Sequence, residues 1–176
     1  NRDGETNNGD LITDAMLWKV LQNKDGLTVN EDHVVAITNG GGIRAAIKVG
    51  DVTKKDIKTV LPFGNTVAVV YVTGEQLLEA LEASTFSTPT AVGGFPQVSG
   101  LNFTIHTGKA YDKNDATYPE ATYYGPKTIN RVVINSVNGK EFKANEVYAV
   151  VTNNFCAAGG DTYYASRLLP PSSTPV

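Results

Sequence analysis

The run Asn39-Gly40-Gly41-Gly42-Ile43-Arg44 sets three bare backbone residues just ahead of a guanidinium. Consecutive glycines let a backbone approach a ligand closely and can turn amides toward an anion. Arginine adds a planar fork matched to phosphate or carboxylate. No Gly-Lys-Ser/Thr follows, so this is not a P-loop, and the dinucleotide fingerprint is absent too. The alternative is a plain glycine turn beside a surface arginine. Leu61-Pro62-Phe63-Gly64-Asn65 holds an aromatic between Pro and Gly, and Asn153-Asn154-Phe155 holds a second one ahead of Gly159-Gly160-Asp161. Taken singly, a loop Phe is more often a core plug. Taken together, two rings on two loops can sandwich a planar base, a contact worth roughly 1–3 kcal/mol per base. Asp161 either caps a helix beginning there or accepts hydrogen bonds from ribose hydroxyls.

Other chemistry is poorly supplied. His33 and His106, the only two histidines, have no carboxylate or second histidine at ligand spacing, which points to structural or solvent-exposed roles. No serine stands in a nucleophile elbow, and the single cysteine, Cys156, has no obvious base partner. The chain therefore carries parts for holding a ligand and no evident reaction centre, and no metal site is expected within it.

The elements that must position these residues follow from periodicity. Asp10 to Gln22 carries a helical stripe of Leu11, Ile12, Ala15, Met16, Val20 and Leu21. Val34 to Ile37 reads as a buried strand feeding the glycine run. Thr53-Lys54-Lys55-Asp56 starts a short helix, and Thr73-Gly74-Glu75-Gln76 is a capping box before Leu77, Leu78 and Leu81. Val67 to Val72 and Leu101 to His106 read as strands. Val132 to Val137, Asn138-Gly139 and Val147 to Val151 suggest two strands joined through a tight turn. Residues 107–128, polar and Tyr-rich, read as a long surface excursion, and Asp161 to Leu169 as a last helix. Interspersed strands and helices give a mixed α/β or α+β class.

The 176 residues suffice for one good-sized domain, residues 1–169, with no internal boundary; Pro170 to Pro175 begins a Pro/Ser-rich tail or linker, 170–176. A chain of this length buries about 70% of its unfolded surface, so its core needs no disulfide. One cysteine rules out an internal disulfide framework. Fifteen basic against eighteen acidic residues give a net charge of −3, without the basic surplus of a nucleic-acid binder. No apolar run approaches the roughly 20 residues that span a bilayer. The chain opens at Asn1 without an initiator Met or a signal pattern, as a piece of a longer protein would.

In this order the motifs resemble the C-terminal domain of the 5′-nucleotidase family, which includes UDP-sugar hydrolases and 2′,3′-cyclic-nucleotide phosphodiesterases. The resemblance runs from Glu5-Thr6-Asn7-Asn8-Gly9-Asp10-Leu11-Ile12-Thr13-Asp14-Ala15 through Asn39 to Arg44 and Leu61 to Asn65. It continues through Gly93-Gly94-Phe95-Pro96-Gln97-Val98-Ser99-Gly100 to Asn153–Asp161, nearly the whole chain. It implies a four-layer α-β-β-α sandwich with ligand loops along one edge. It also implies a nucleotide site in which Phe63 and Phe155 stack the base and Arg44 and Arg2 hold phosphate. Asp161 would accept the ribose hydroxyls, Asn39 and Gly42 would shape the pocket, and Asn65 and Gly93 would lie near the base. Catalysis, with two divalent metal ions, would belong to an N-terminal metallophosphoesterase domain absent from this chain, so the chain alone should bind and not hydrolyse. The family works outside the cytoplasm, which implies a periplasmic, extracellular or cell-surface setting.

The chain departs from the pattern where Asp3-Gly4 follows Arg2, where some members carry another basic residue. Thr162 follows Asp161 where glycine is usual, and a lone cysteine argues for a bacterial type. The rival readings are a 2′,3′-cyclic phosphodiesterase with 3′-nucleotidase activity and a stand-alone nucleoside-binding or surface module. A more distant one keeps the fold but has lost the ligand, with both Phe residues as core plugs.

Overall fold

A computed structural model describes residues 1–167; the expected tail and the end of the expected last helix, Leu168 and Leu169, lie outside the described residues. The centre is β1 (Val34–Asn39), buried along its whole length. It lies parallel to β8 (Val147–Asn153) and antiparallel to β3 (Pro96–Ser99), while β2 (Val67–Thr73) pairs antiparallel with β8, giving the order β2-β8-β1-β3. A strand covered on both faces must be apolar at successive positions, which is why Val34-Val35-Ala36-Ile37 is an unbroken run.

The two faces of this sheet are covered differently. Val34, Ala36, Ala149 and Val151 face α1 (Asn7–Leu21), which meets them through Met16, Leu17 and Val20. On the other face Val35, Ile37, Val70 and Val150 meet Leu77 and Leu81 of α3 (Gly74–Ser84). Beside them pack Val132 and Ile134 of β7 (Val132–Val137), which pairs with β4 (Leu101–Ile105) in a second sheet. The result is a mixed α/β fold in which α1 covers one face of the first sheet and α3, with the second sheet beside it, covers the other, so that α3 touches both sheets.

Local capping sets the helix starts. Thr6 accepts a hydrogen bond from the Gly9 amide, so α1 begins at Asn7, three residues before the expected start at Asp10. At Gly9 a Cβ would fall 1.9 Å from Gln97 Oε1, so α1 packs against β3 as closely as a bare backbone allows. The expected capping boxes are both present, Thr53 with Asp56 on α2 (Lys54–Val60) and Thr73 with Gln76 on α3. A reciprocal clamp ties α3 to the second sheet. Buried Glu82 accepts from the amides of Arg131 at 3.1 Å and Val132 at 2.8 Å. The buried Arg131 guanidinium donates in turn to the carbonyls of Thr85, Phe86 and Thr88 at the end of α3.

Three expectations need correction. Asn138-Gly139 does form a tight turn, with φ of 49° and 74°, but β7 and β8 do not pair and lie in different sheets. Residues 107–128 include a short hairpin, β5 (Lys113–Thr117) with β6 (Tyr124–Pro126). Buried Tyr118 pins it by donating to Glu79 at 2.8 Å and stacking on Tyr164 at 5.0 Å. The last helix is reduced, within the described residues, to one 3-10 turn at Tyr164–Arg167. Gly159 and Asp161 adopt φ of 88° and 53°, left-handed values that break a right-handed helix before it starts. Among the described residues no helix is long and apolar enough to cross a membrane.

Candidate functional site

Because β1 and β8 run parallel, their carboxyl ends arrive together, at Asn39 and Asn153, the kind of sheet edge where α/β folds place ligands. Above them opens a cavity of about 440 Å³. All nine residues singled out in the sequence border it: Arg2, Asn39, Gly42, Arg44, Phe63, Asn65, Gly93, Phe155 and Asp161, together with Gly41.

The floor is a chain of side-chain amides. Asn153 Oδ1 accepts from the Cys156 amide at 2.9 Å and caps α4 (Asn154–Ala157). Its Nδ2 donates to Asn39 Oδ1 and Thr38 Oγ1, both at 3.1 Å. Asn39 Nδ2 then donates to Asp161 Oδ2 at 2.8 Å. Both asparagines are buried, so each amide is fixed in orientation and the Asp161 carboxylate is held in place. Asp161 caps no helix; its left-handed backbone carries the carboxylate over Gly93, where a Cβ would stand 3.7 Å from Oδ2.

Neither phenylalanine is a core plug: Phe63 is 63% exposed and Phe155 43%. Phe155 lies so close to Gly160 that a Cβ there would meet ring carbons at 2.6 Å. The two ring-bearing loops are stitched together by Asn154, whose amide donates to the Thr66 carbonyl at 2.9 Å and whose Oδ1 accepts from the Thr66 amide at 2.8 Å. Arg44 stands with its guanidinium carbon 6.0 Å from the Phe63 ring centre, and Nη1 donates weakly to the Gly41 carbonyl at 3.4 Å.

The glycine run does not offer all its amides to an anion. Gly40 and Gly41 donate to the carbonyls of Phe95 and Gly93 at 2.8 and 2.7 Å. The glycines serve a close meeting of two backbones, since a Cβ at Gly41 would lie 2.9 Å from the Gly93 carbonyl oxygen. Arg2 reaches the pocket because its segment is tied down. Its carbonyl accepts from the Val92 amide at 2.8 Å. Buried Gln97 accepts from the Thr6 amide at 3.0 Å and donates to the Gly4 carbonyl at 2.8 Å. Thr162, where the sequence departs from the family's glycine, is buried against Gly94.

The histidines stay out of the pocket. His106 is exposed. His33 stands before β1, at the far end of the strand, between Asp32 (Nδ1, 2.8 Å) and Glu146 (Nε2, 2.6 Å) and stacked on Tyr148. Hydrogen bonds to Glu146 and then Asp32 raise its pKa. Burial pushes the Cys156 thiol up to about 12, so it stays protonated. Among the described residues no group of three or more His, Cys, Asp or Glu could hold a metal ion.

Sequence reasoning missed Asn153, Asn154, Gly160 and Gln97 as builders of the site. The first three stand within the motif that supplied Phe155 and Asp161, and an Asn at a strand end ahead of a short turn is a capping signal. Gln97 carries no local signal, since its partners are at the other end of the chain.

A model of the family described as "5′-nucleotidase, C-terminal domain" matches residues 1–167. The chain is 39% identical over 164 residues to the trifunctional nucleotide phosphoesterase protein YfkN of Bacillus subtilis, covering 92% of this chain and 10% of YfkN. It is 32% identical over 171 residues to the cell wall protein Lmo0130 of Listeria monocytogenes, covering 94% of this chain and 19% of that protein. The solved 5′-nucleotidase precursor of Thermus thermophilus shares the fold with a TM-score of 0.68 and 34% identity, over 94% of this chain and 28% of that one. The chain thus spans a small part of the longer proteins it matches. With the family match running over every described residue and the motifs meeting at one strand-end pocket, this chain belongs to the 5′-nucleotidase C-terminal domain family.

Proposed function

We propose that the chain is the substrate-binding part of a 5′-nucleotidase-type phosphoesterase, holding a nucleotide by its base, ribose and phosphate in turn. What carries the reading is the convergence of two exposed rings, a fixed carboxylate and two arginines on one cavity. The base stacks between Phe63 and Phe155, flanked by Asn65 and Gly93; because every base has a π-face, this grip tolerates many bases. Asp161, steadied by Asn39, takes the vicinal hydroxyls of ribose through charge-assisted hydrogen bonds. Arg44 and Arg2 neutralise the phosphate, and Gly42 with Asn39 shapes the nucleoside pocket.

Hydrolysis of the phosphate ester is assigned to another domain of the parent protein, one that holds two divalent metal ions. The isolated chain binds nucleotides without hydrolysing them. An extracytoplasmic setting is supported by the relative named as a cell wall protein. A second reading, in which the parent also acts on 2′,3′-cyclic nucleotides, draws on the relative named a trifunctional nucleotide phosphoesterase.

The test is calorimetric titration of this chain with adenosine, AMP and 2′-deoxyadenosine without added metal. Hydrogen bonds to a charged group contribute about 1.5–3 kcal/mol, so 2′-deoxyadenosine should bind about tenfold or more weakly than adenosine. Asp161→Asn should shrink that difference. Equal affinities for the two nucleosides would remove the ribose role of Asp161, and no binding of any of the three at millimolar concentration would remove the reading itself.

A further inference from the structure

Beside the pocket lies a second hollow of about 500 Å³, within the size range of small-molecule sites. One wall is α1, through Leu11, Ala15 and Met16; the other is α2 and the turn after it, through Ile57 and Leu61. Leu11 is 56% exposed, Ile57 43% and Leu61 39%, so apolar side chains line a trough open to water.

The trough is continuous with the pocket. The two cavities share Gly42, Phe63 and Asn65, and Gly42 has no side chain to close the passage between them. The shared ring and amide belong to the base end of the pocket. Arg2, Arg44 and Asp161, the residues given to phosphate and ribose, border the first cavity alone, as do Phe155 and Gly93 on the far side of the base. An extension on the phosphate would therefore start on the wrong side, whereas one on the base edge starts beside Asn65.

We propose that the trough is a subsite for an apolar substituent carried on the base, so that the chain selects nucleosides and nucleotides with alkyl- or aryl-substituted bases over unsubstituted ones. The inference rests on the nucleotide reading above. An unmodified base leaves the trough wet, while an alkyl chain crossing at Gly42 covers Leu11, Ile57 and Leu61 and releases the water on them.

The experiment compares adenosine with N6-hexyladenosine by calorimetry, on the wild-type chain and on Ala15→Trp. Ala15 is an exposed residue of α1 that lines the trough and not the pocket, so a tryptophan there fills the subsite and leaves the nucleoside site untouched. Burial of part of the chain should tighten wild-type binding at least about tenfold. Ala15→Trp should abolish that gain while adenosine binds as before, with circular dichroism confirming the fold. Adenosine binding without a gain from the hexyl group, or a gain that persists in Ala15→Trp, overturns the subsite alone. Failure of adenosine itself to bind overturns the nucleotide reading and the subsite with it.

Discussion

Replacing Gly160 by alanine tests the stacking arrangement without removing either ring. Gly160 has no left-handed φ, so the backbone accepts alanine, but the new methyl carbon would lie 2.6–2.7 Å from three carbons of the Phe155 ring. Ordinary carbon–carbon contact begins near 3.5 Å, so the ring must retreat by about 0.9 Å or turn about its bonds. A base–aromatic stack contributes roughly 1–3 kcal/mol, and a ring displaced by that much keeps only part of it. The expected loss is about 1–2 kcal/mol, or 5- to 30-fold weaker adenosine binding, close to the effect of Phe155→Ala. The assay is calorimetric titration with adenosine, paired with urea unfolding to show that Gly160→Ala leaves the domain folded. Wild-type affinity in Gly160→Ala, with Phe155→Ala clearly weaker, would refute the idea that Gly160 sets the ring's position. Wild-type affinity in both would refute the stack.

The His33 cluster should give stability a pH window. Bonds to Glu146 and Asp32 raise the His33 pKa, so its contribution is complete below the ordinary value of 6.5 and lost as pH rises through the folded value. Lys140 and then His33 hold Asp32 down to about 2, and His33 and then Lys143 lower Glu146, so their contributions are present above 3.8 and 4.5 and lost on acidification. Urea midpoints should therefore be highest between about pH 4.5 and 6.5, with the decline above 6.5 absent in His33→Gln; parallel profiles for the two proteins would contradict this. Glu82→Gln keeps one oxygen for the Val132 amide but sets an NH2 against the Arg131 amide and removes the buried charge facing the Arg131 guanidinium's clamp. It should cost about 1–3 kcal/mol in urea unfolding, with an unchanged slope. A loss under about 0.5 kcal/mol would mean that the clamp between α3 and the second sheet contributes little.

How far the sequence could be read depended on how local each signal is. The boxes at Thr53–Asp56 and Thr73–Gln76 close within four residues, and both were legible. Local chemistry suggested that the rings of Phe63 and Phe155 could sandwich a base and that Arg44 and Asp161 could hold an anion or ribose. Their meeting with Arg2 at one site came through the resemblance, since no spacing rule brings positions so distant together. The β7–β8 error had no local remedy. In the structure β7 alternates buried and exposed positions from Val132 to Asn135, whereas β8 is buried at every position after its first, yet both strands carry unbroken apolar runs in the sequence. The Asn138-Gly139 signal is real but reports only the turn. Glu82, Arg131 and Gln97 looked like ordinary surface residues because the partners that bury them lie 43 to 96 residues away.

The pairing of Val67 with Asn153 at the end of the β2–β8 ladder has a consequence for the life of the protein. Phe63 stands in the turn leading into β2 and Phe155 in α4, directly after β8, so the two rings come together only once two segments from opposite halves of the chain have found their register. No early, locally formed intermediate can present the pair. A nucleoside would then bind the finished fold alone and withdraw it from unfolding by mass action, by about 2.7 kcal/mol at a ligand concentration a hundred times Kd. Resistance to proteolysis would rise and fall with the nucleoside content of the surroundings, making the amount of surviving protein a record of how much substrate it has met.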